Sequence, residues 1–265
     1  PFPYTLIIPP ESVTRRHFSG AQLISVLPDR LIVLQQTLRD AVRKEIPFRD
    51  IIYCETGSIL LYSWIKIVTQ SDTIVIPYNT VNNIIIEPII ASIRGLKDEN
   101  ASSYFEREAS KFDYLFPIDY KYGSFGRDAV FPDGIVLKIL YECEHPDWSI
   151  RMFGRNFLRR CRTSHLAILT DKEIILIKET EPVRWETFSQ YGKVVQRIPY
   201  TSVRCISIFN SDEFSVLKLS FKGGEPLKVR YSNDNRDLTD FAEAAAKAIP
   251  CDLEIQPVSA NENIA

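Results

Sequence analysis

The chain has 265 residues, of which 45% are hydrophobic, 25% charged and 11% aromatic, and its formal net charge is -2. This composition excludes a disordered or low-complexity chain, and the length fits one large domain or two ordinary ones. The near-neutral balance excludes a uniformly basic nucleic-acid binder, and 3 His are a thin supply for catalysis or metal binding.

Taken in chain order, period-two alternation of Ile, Val, Tyr and Phe predicts strands at 4–8, 23–27, 31–37, 46–54, 59–69 and 73–78. The turn residues Pro9-Pro10, Pro28-Asp29-Arg30, Thr56-Gly57-Ser58 and Gln70-Ser71-Asp72 separate them. Val81, Ile85, Ile89 and Ile93, spaced by four, predict a helix ending near Gly95, with Pro88 expected to kink or interrupt it. A polar run at Lys97–Asn100 opens a connecting segment, 96–133. Within it, 101–112 reads as a helix, and Gly123-Ser124-Phe125-Gly126 reads as a flexible turn. A second strand series follows at 135–141, 164–169, 174–178, 194–209, 214–221 and 227–231. Leu238, Phe241, Ala242, Ala245 and Ile249 then lie on one face of an amphipathic helix, with Pro250 past its end. The remainder, 251–265, is polar.

The two series look like one pattern used twice. LISVLPDRLIVLQQT (23–37) parallels LAILTDKEIILIKET (166–180), and Ile46-Pro47 parallels Ile198-Pro199, an offset of 198 − 46 = 152. At that offset Ile65-Lys66-Ile67 falls on Leu217-Lys218-Leu219. An internal repeat is settled before anything else because it decides the domain count. Each series must bury one face of its strands, as a bent sandwich or partly open barrel, and can close one end with its helix. That order resembles the pleckstrin-homology-like superfold, particularly its bacterial members. The resemblance rests on LTDKEIILIKET (169–180), IPYTSVRCISI (198–208), FSVLKLSF (214–221) and the helix 237–249. It implies a mainly β fold with helices: one domain at 1–95, a linker at 96–133 and a second domain at 134–250. A plain β-sandwich or a lipocalin-like barrel is the competing architecture.

Candidate sites are few. Arg151–Arg162 (RMFGRNFLRRCR) holds five Arg and no acid. The resemblance implies an anion-binding role for Lys138, Arg155, Arg159, Arg160 and Arg162, since a guanidinium fork suits phosphate. Trp64 and Val68 share the outward side of Lys66 and predict an interface. Cys143 and His145, flanked by Glu142 and Glu144, are the sole pairing suggestive of a nucleophile. Five Cys, odd in number and without a CxxC, fit free thiols in a reducing cytosol. No apolar run approaches the roughly 18 residues of a membrane helix. The expectation is a cytoplasmic, non-catalytic binding protein with no cofactor, no metal and no nucleic-acid partner. Its partner would be another protein or a second copy. The alternative is peripheral attachment to anionic lipid at the inner membrane face through the Arg stretch.

Overall fold

A computed structural model describes residues 4–14, 17–36, 40–95, 102–130, 134–152, 155–179, 192–211, 213–233, 235 and 237–257, with the backbone alone described at 11–19, 102–105, 145–162 and 256–257 within those spans. The chain is mainly β. Its first series comprises β1 (Tyr4–Ile8), β2 (Glu11–Thr14), β3 (His17–Ser19), β4 (Gln22–Val26), β5 (Arg30–Gln36), β6 (Ala41–Pro47), β7 (Ile51–Ile59), β8 (Tyr62–Thr69), β9 (Thr73–Asn79) and helix α1 (Asn83–Ile93). The connecting segment forms α2 (Ser102–Ser110) and α3 (Tyr120–Val130). Next come β10 (Val136–Glu142), β11 (His145–Met152), β12 (Arg155–Arg162), β13 (His165–Thr170), β14 (Glu173–Glu179) and β15 (Lys193–Pro199). They are followed by β16 (Val203–Asn210), β17 (Phe214–Phe221), β18 (Leu227–Ser232), α4 (Asp237–Ala248) and β19 (Asp252–Pro257). Among the described residues no helix is long and apolar enough to cross a membrane.

The order of elements from β1 to α1 recurs from β10 to α4, down to a two-stranded hairpin inserted after the first strand of each series. The predicted continuous strands 46–54 and 194–209 are each broken in two. A 3-10 turn follows Pro47 at Phe48–Asp50 and follows Pro199 at Tyr200–Ser202. Proline has no N–H to continue a ladder, so the chain leaves one sheet and enters another there. The register also slips at equivalent points, between Ile51 and Tyr53 on β7 and between Val203 and Cys205 on β16.

Three larger sheets result, none closed into a barrel. The first runs β1-β4-β5-β6 and the last β18-β17-β16-β19. Between them a seven-stranded sheet runs β10-β13-β14-β15-β7-β8-β9, so strands of both series share one ladder. All pairings in the larger sheets are antiparallel except β16 with β19, which is parallel.

The seam is β15 against β7, from Lys193 opposite Ser58 to Arg197 opposite Cys54. β7 has a core on each side. Ile51 and Cys54 pack with Leu31, Ile65 and Ile89, whereas Ile52 packs with Ile206, Leu219 and Phe241. Alternation sends Ile51 and Ile52 to opposite cores, and the slip after Ile51 lets Cys54, three residues on, return to the core of Ile51. Buried polar groups fix the seam. Gln196 Nε2 donates to Glu55 Oε2 (2.8 Å), and Glu173 Oε1 accepts from Arg94 Nε (2.9 Å), Arg94 Nη2 (2.6 Å) and Arg197 Nη1 (3.2 Å). Burial and the nearby Arg94 charge both lower the pKa of Arg197, and Glu173 opposes them.

The described residues of the connecting segment pack on the second series. Phe112, Leu115, Tyr122, Ala129 and Val130 meet Leu166, Ile168, Ile175, Ile177 and Val195. The expected turn at Gly123–Gly126 is instead inside α3. A Cβ at Gly126 would lie 2.4 Å from the Phe112 ring, and one at Gly123 3.2 Å from Phe116, so these glycines are space for rings. Pro88 does not interrupt α1, which runs through it.

Replacing Glu173 by Ala removes the carboxylate that both seam arginines bond. Its side chain and those of Arg94 and Arg197 are 8%, 8% and 11% exposed, so the expected loss is about 3–5 kcal/mol, read by urea denaturation.

Candidate interaction surfaces

β7 and β8 are joined by a two-residue turn, Leu60-Leu61, with Ile59 paired to Tyr62. Such turns favour glycine or asparagine because they demand left-handed backbone. Here Leu60 has φ 53° and is the one described non-glycine residue with positive φ. A Cβ in that region costs roughly 1–2 kcal/mol. The turn is held from outside: Thr80 N–H donates to Leu61 O (2.9 Å) and Thr80 Oγ1 to Leu60 O (2.8 Å). Asn79 Oδ1 then accepts from Val81 N–H (3.0 Å) and starts the path into α1.

α1 is apolar on more than one side. Ile86 and Ile89 are buried in the first core, with Ile90 and Ile93 packed beside them. The other side exposes Ile84 (77%) and Ile85, and the turn before α1 exposes Val81 (75%), next to Leu60 (65%) and Leu61 (59%). A helix that is apolar all round is normally covered all round. Together these five side chains form an exposed apolar tip on a fixed backbone. The sequence reading missed it, placing 59–69 in one strand and a turn at Thr56-Gly57-Ser58. Leucines are not turn residues, and Gly57 serves another purpose: a Cβ there would lie 2.0 Å from the Trp64 indole.

Trp64 and Val68 lie on the side of β8 away from the first core, each half-buried. Trp64 covers Gly57, stacks near Tyr62 at 5.7 Å and donates from Nε1 to Glu55 Oε1 at 3.2 Å. Val68 packs against the second core beside Tyr53. Val68 therefore works at the seam between the series and Trp64 reaches it through Glu55, which Gln196 also bonds, while the described residues of the connecting helices pack on the second series.

The Arg stretch forms an antiparallel hairpin, β11 with β12, with Ser149 opposite Arg159 and Trp148 opposite Arg160. The side chains of Arg155, Arg159, Arg160 and Arg162 lie outside the described residues. Lys138, on β10, has its Nζ 3.5 Å from Asp240 of α4. It also lines a shallow groove of about 310 Å³ with Lys111, Tyr114, Leu137 and Asp237.

Around Cys143 and His145, Glu142 is buried in a structural role. Its Oε1 accepts from Ser232 N–H (2.9 Å) and its Oε2 from Asn235 Nδ2 (2.8 Å), tying β10 to the approach to α4. Cys143 is exposed, and the His145 side chain lies outside the described residues. No group of three or more His, Cys, Asp and Glu among the described residues could hold a metal ion.

No protein-family model matches the chain, and no curated protein aligns with it significantly.

Of the four described free thiols, Cys54 is buried at the seam, and burial pushes its pKa up to about 12. Peptide mapping after brief exposure of the native protein to a thiol probe is expected to find Cys143 labelled and Cys54 untouched, with Cys54 reacting only in denaturant.

Proposed function

We infer that this chain is a tandem pleckstrin-homology-like protein that docks a protein partner and catalyses nothing. On this reading 1–95 and 134–250 are its two domains and the cytoplasm is its compartment. The recurring order of strands, Ile-Pro break, three further strands and closing helix supports the fold assignment. The function rests on one observation. Leu60 holds a costly left-handed backbone with its side chain, and those of Leu61, Val81 and Ile84, turned to solvent. An apolar residue at a strained turn gives the isolated fold nothing that glycine would not give better. Such local conflicts concentrate at functional positions. The chemistry favours a protein over a membrane surface: α1 carries Glu87 and has no Lys or Arg between Asn83 and Ile93, whereas interfacial helices pair their apolar face with basic residues.

Two variants separate folding from docking. Leu60→Gly is expected to stabilise the protein by about 1 kcal/mol, the relieved backbone cost, while weakening partner capture. Leu61→Asp/Ile84→Asp is expected to change stability by less than about 0.5 kcal/mol, as surface changes do, and to abolish capture. Denaturation curves and affinity purification with wild type alongside read both. Equal capture by all three proteins would sink the docking role, and a loss of stability in Leu60→Gly would sink the strain it rests on.

A further inference from the structure

The seam is a joint between two strands that each have a counterpart in the other series. At the offset of 152, β15 (193–199) corresponds to β6 (41–47) and β7 (from 51) to β16 (from 203). The joint uses one member of each pair. The other two, β6 and β16, are not joined to each other in this chain.

Their states differ in a telling way. Among the described residues β6 is the outer strand of its sheet. Phe48 N–H donates to Asp29 O, and an antiparallel ladder alternates from there, so 42, 44 and 46 bond to β5 while 41, 43 and 45 direct backbone groups outward. On β15 the same counting from Tyr200 N–H and Lys172 O sends 193, 195 and 197 outward, and these are the residues that face β7. The outward rows of β6 and β15 are thus equivalent position by position. Val42 is 42% exposed, whereas its counterpart Val194 is 5% exposed in the joint.

The edge of β16 is occupied by β19, the strand after α4, from Cys205 beside Asp252 to Asn210 beside Pro257. This strap is parallel, where β15 on β7 is antiparallel, and parallel pairing is slightly weaker per residue. It is also poorly buried. Leu253 is half-buried, Asp252 and Glu254 are exposed and Ile255 is 49% exposed. By contrast Val194, Val195 and Gln196 of β15 are each 5% exposed or less.

We propose that the edge of β16 is an acceptor for β6 of a second copy of this chain, and that β19 is a displaceable strap closing it. The pairing repeats the internal joint, with Val42 facing Phe209, Arg43 facing Ile208 and Lys44 facing Ser207. Each copy keeps one donor edge that no described residue covers and one acceptor, so the contact is heterologous and builds head to tail, open-ended as long as its rotation does not close a ring. The charges on β6, where Arg43 Nη2 meets Glu45 at 3.2 Å and Lys44 Nζ meets Asp72 at 2.6 Å, guard the donor edge while the strap is closed.

Sedimentation velocity over a concentration series on full-length chains tests this. Leu253→Asp/Ile255→Pro should release the strap and give a growing ladder of sizes where wild type stays monomeric. Adding Arg43→Pro removes an outward N–H of β6 without touching its bonds to β5, and should weaken assembly by about tenfold or more. The triple variant accepts but cannot donate, so mixed with wild-type chains it should form a 1:1 complex and stop. Leu61→Asp/Ile84→Asp, on the α1 tip, should leave the ladder unchanged. Circular dichroism verifies folding, with Leu253→Ser as the milder release if the double variant unfolds. A folded, strap-released protein that stays monomeric, a single closed dimer, or a ladder indifferent to Arg43→Pro would each overturn the assignment.

Discussion

The pairing of β15 with β7 is the constraint on which the rest depends. β7 lies between two cores, and neither core is complete without it: Ile51 fills one and Ile52 the other. A strand used on both faces needs both of its neighbours in place, β8 from its own series and β15 from the other. The ion cluster of Glu173 with Arg94 and Arg197 adds orientation more than net stability, because its desolvation cost offsets much of the attraction. Arg94 comes from the end of α1 and Glu173 from β14, so the cluster ties the first helix to the second series.

Once the seam is set, the remaining surfaces divide by what covers them. The outer face of β10, β13, β14 and β15 is covered by α2, α3 and the turn between them, through Phe112, Tyr122 and Val130. β16 is covered at its edge by β19. The α1 tip is covered by nothing among the described residues, and its leucine turn holds strained backbone there. An exposed apolar tip held on strained backbone is the natural place to look for a partner.

Much of the fold was legible because its cues are local. Alternation marked most of the strands, and the spacing of Leu238, Phe241, Ala242 and Ala245 marked α4, where all four are buried. The Ile-Pro pairs at 46 and 198 were visible as matching positions, but not as breaks. What happens there depends on which sheet the chain enters next, a fact absent from the residues themselves. Glycines misled for a related reason. Gly57 and Gly126 look like turn residues, yet they are sites where the Trp64 and Phe112 rings need the space of a missing Cβ. Leu60-Leu61 misled in the opposite sense, since its turn is imposed by Thr80 from the far end of β9.

The sequence by itself determined a β-rich chain with one pattern used twice, because side-chain period and turn chemistry act over a few residues. The tertiary structure alone decided how the two copies of the pattern meet. LISVLPDRLIVLQQT and LAILTDKEIILIKET read as the same hairpin, yet Leu31 and Val33 bury one face of β5, whereas Ile174 to Ile177 bury both faces of β14. Apolar runs announce two-sided burial, but not what lies on either side. That is settled by contacts between residues as far apart as Glu55 and Gln196, where hydrogen bonding and desolvation, rather than local propensity, select the partner strand.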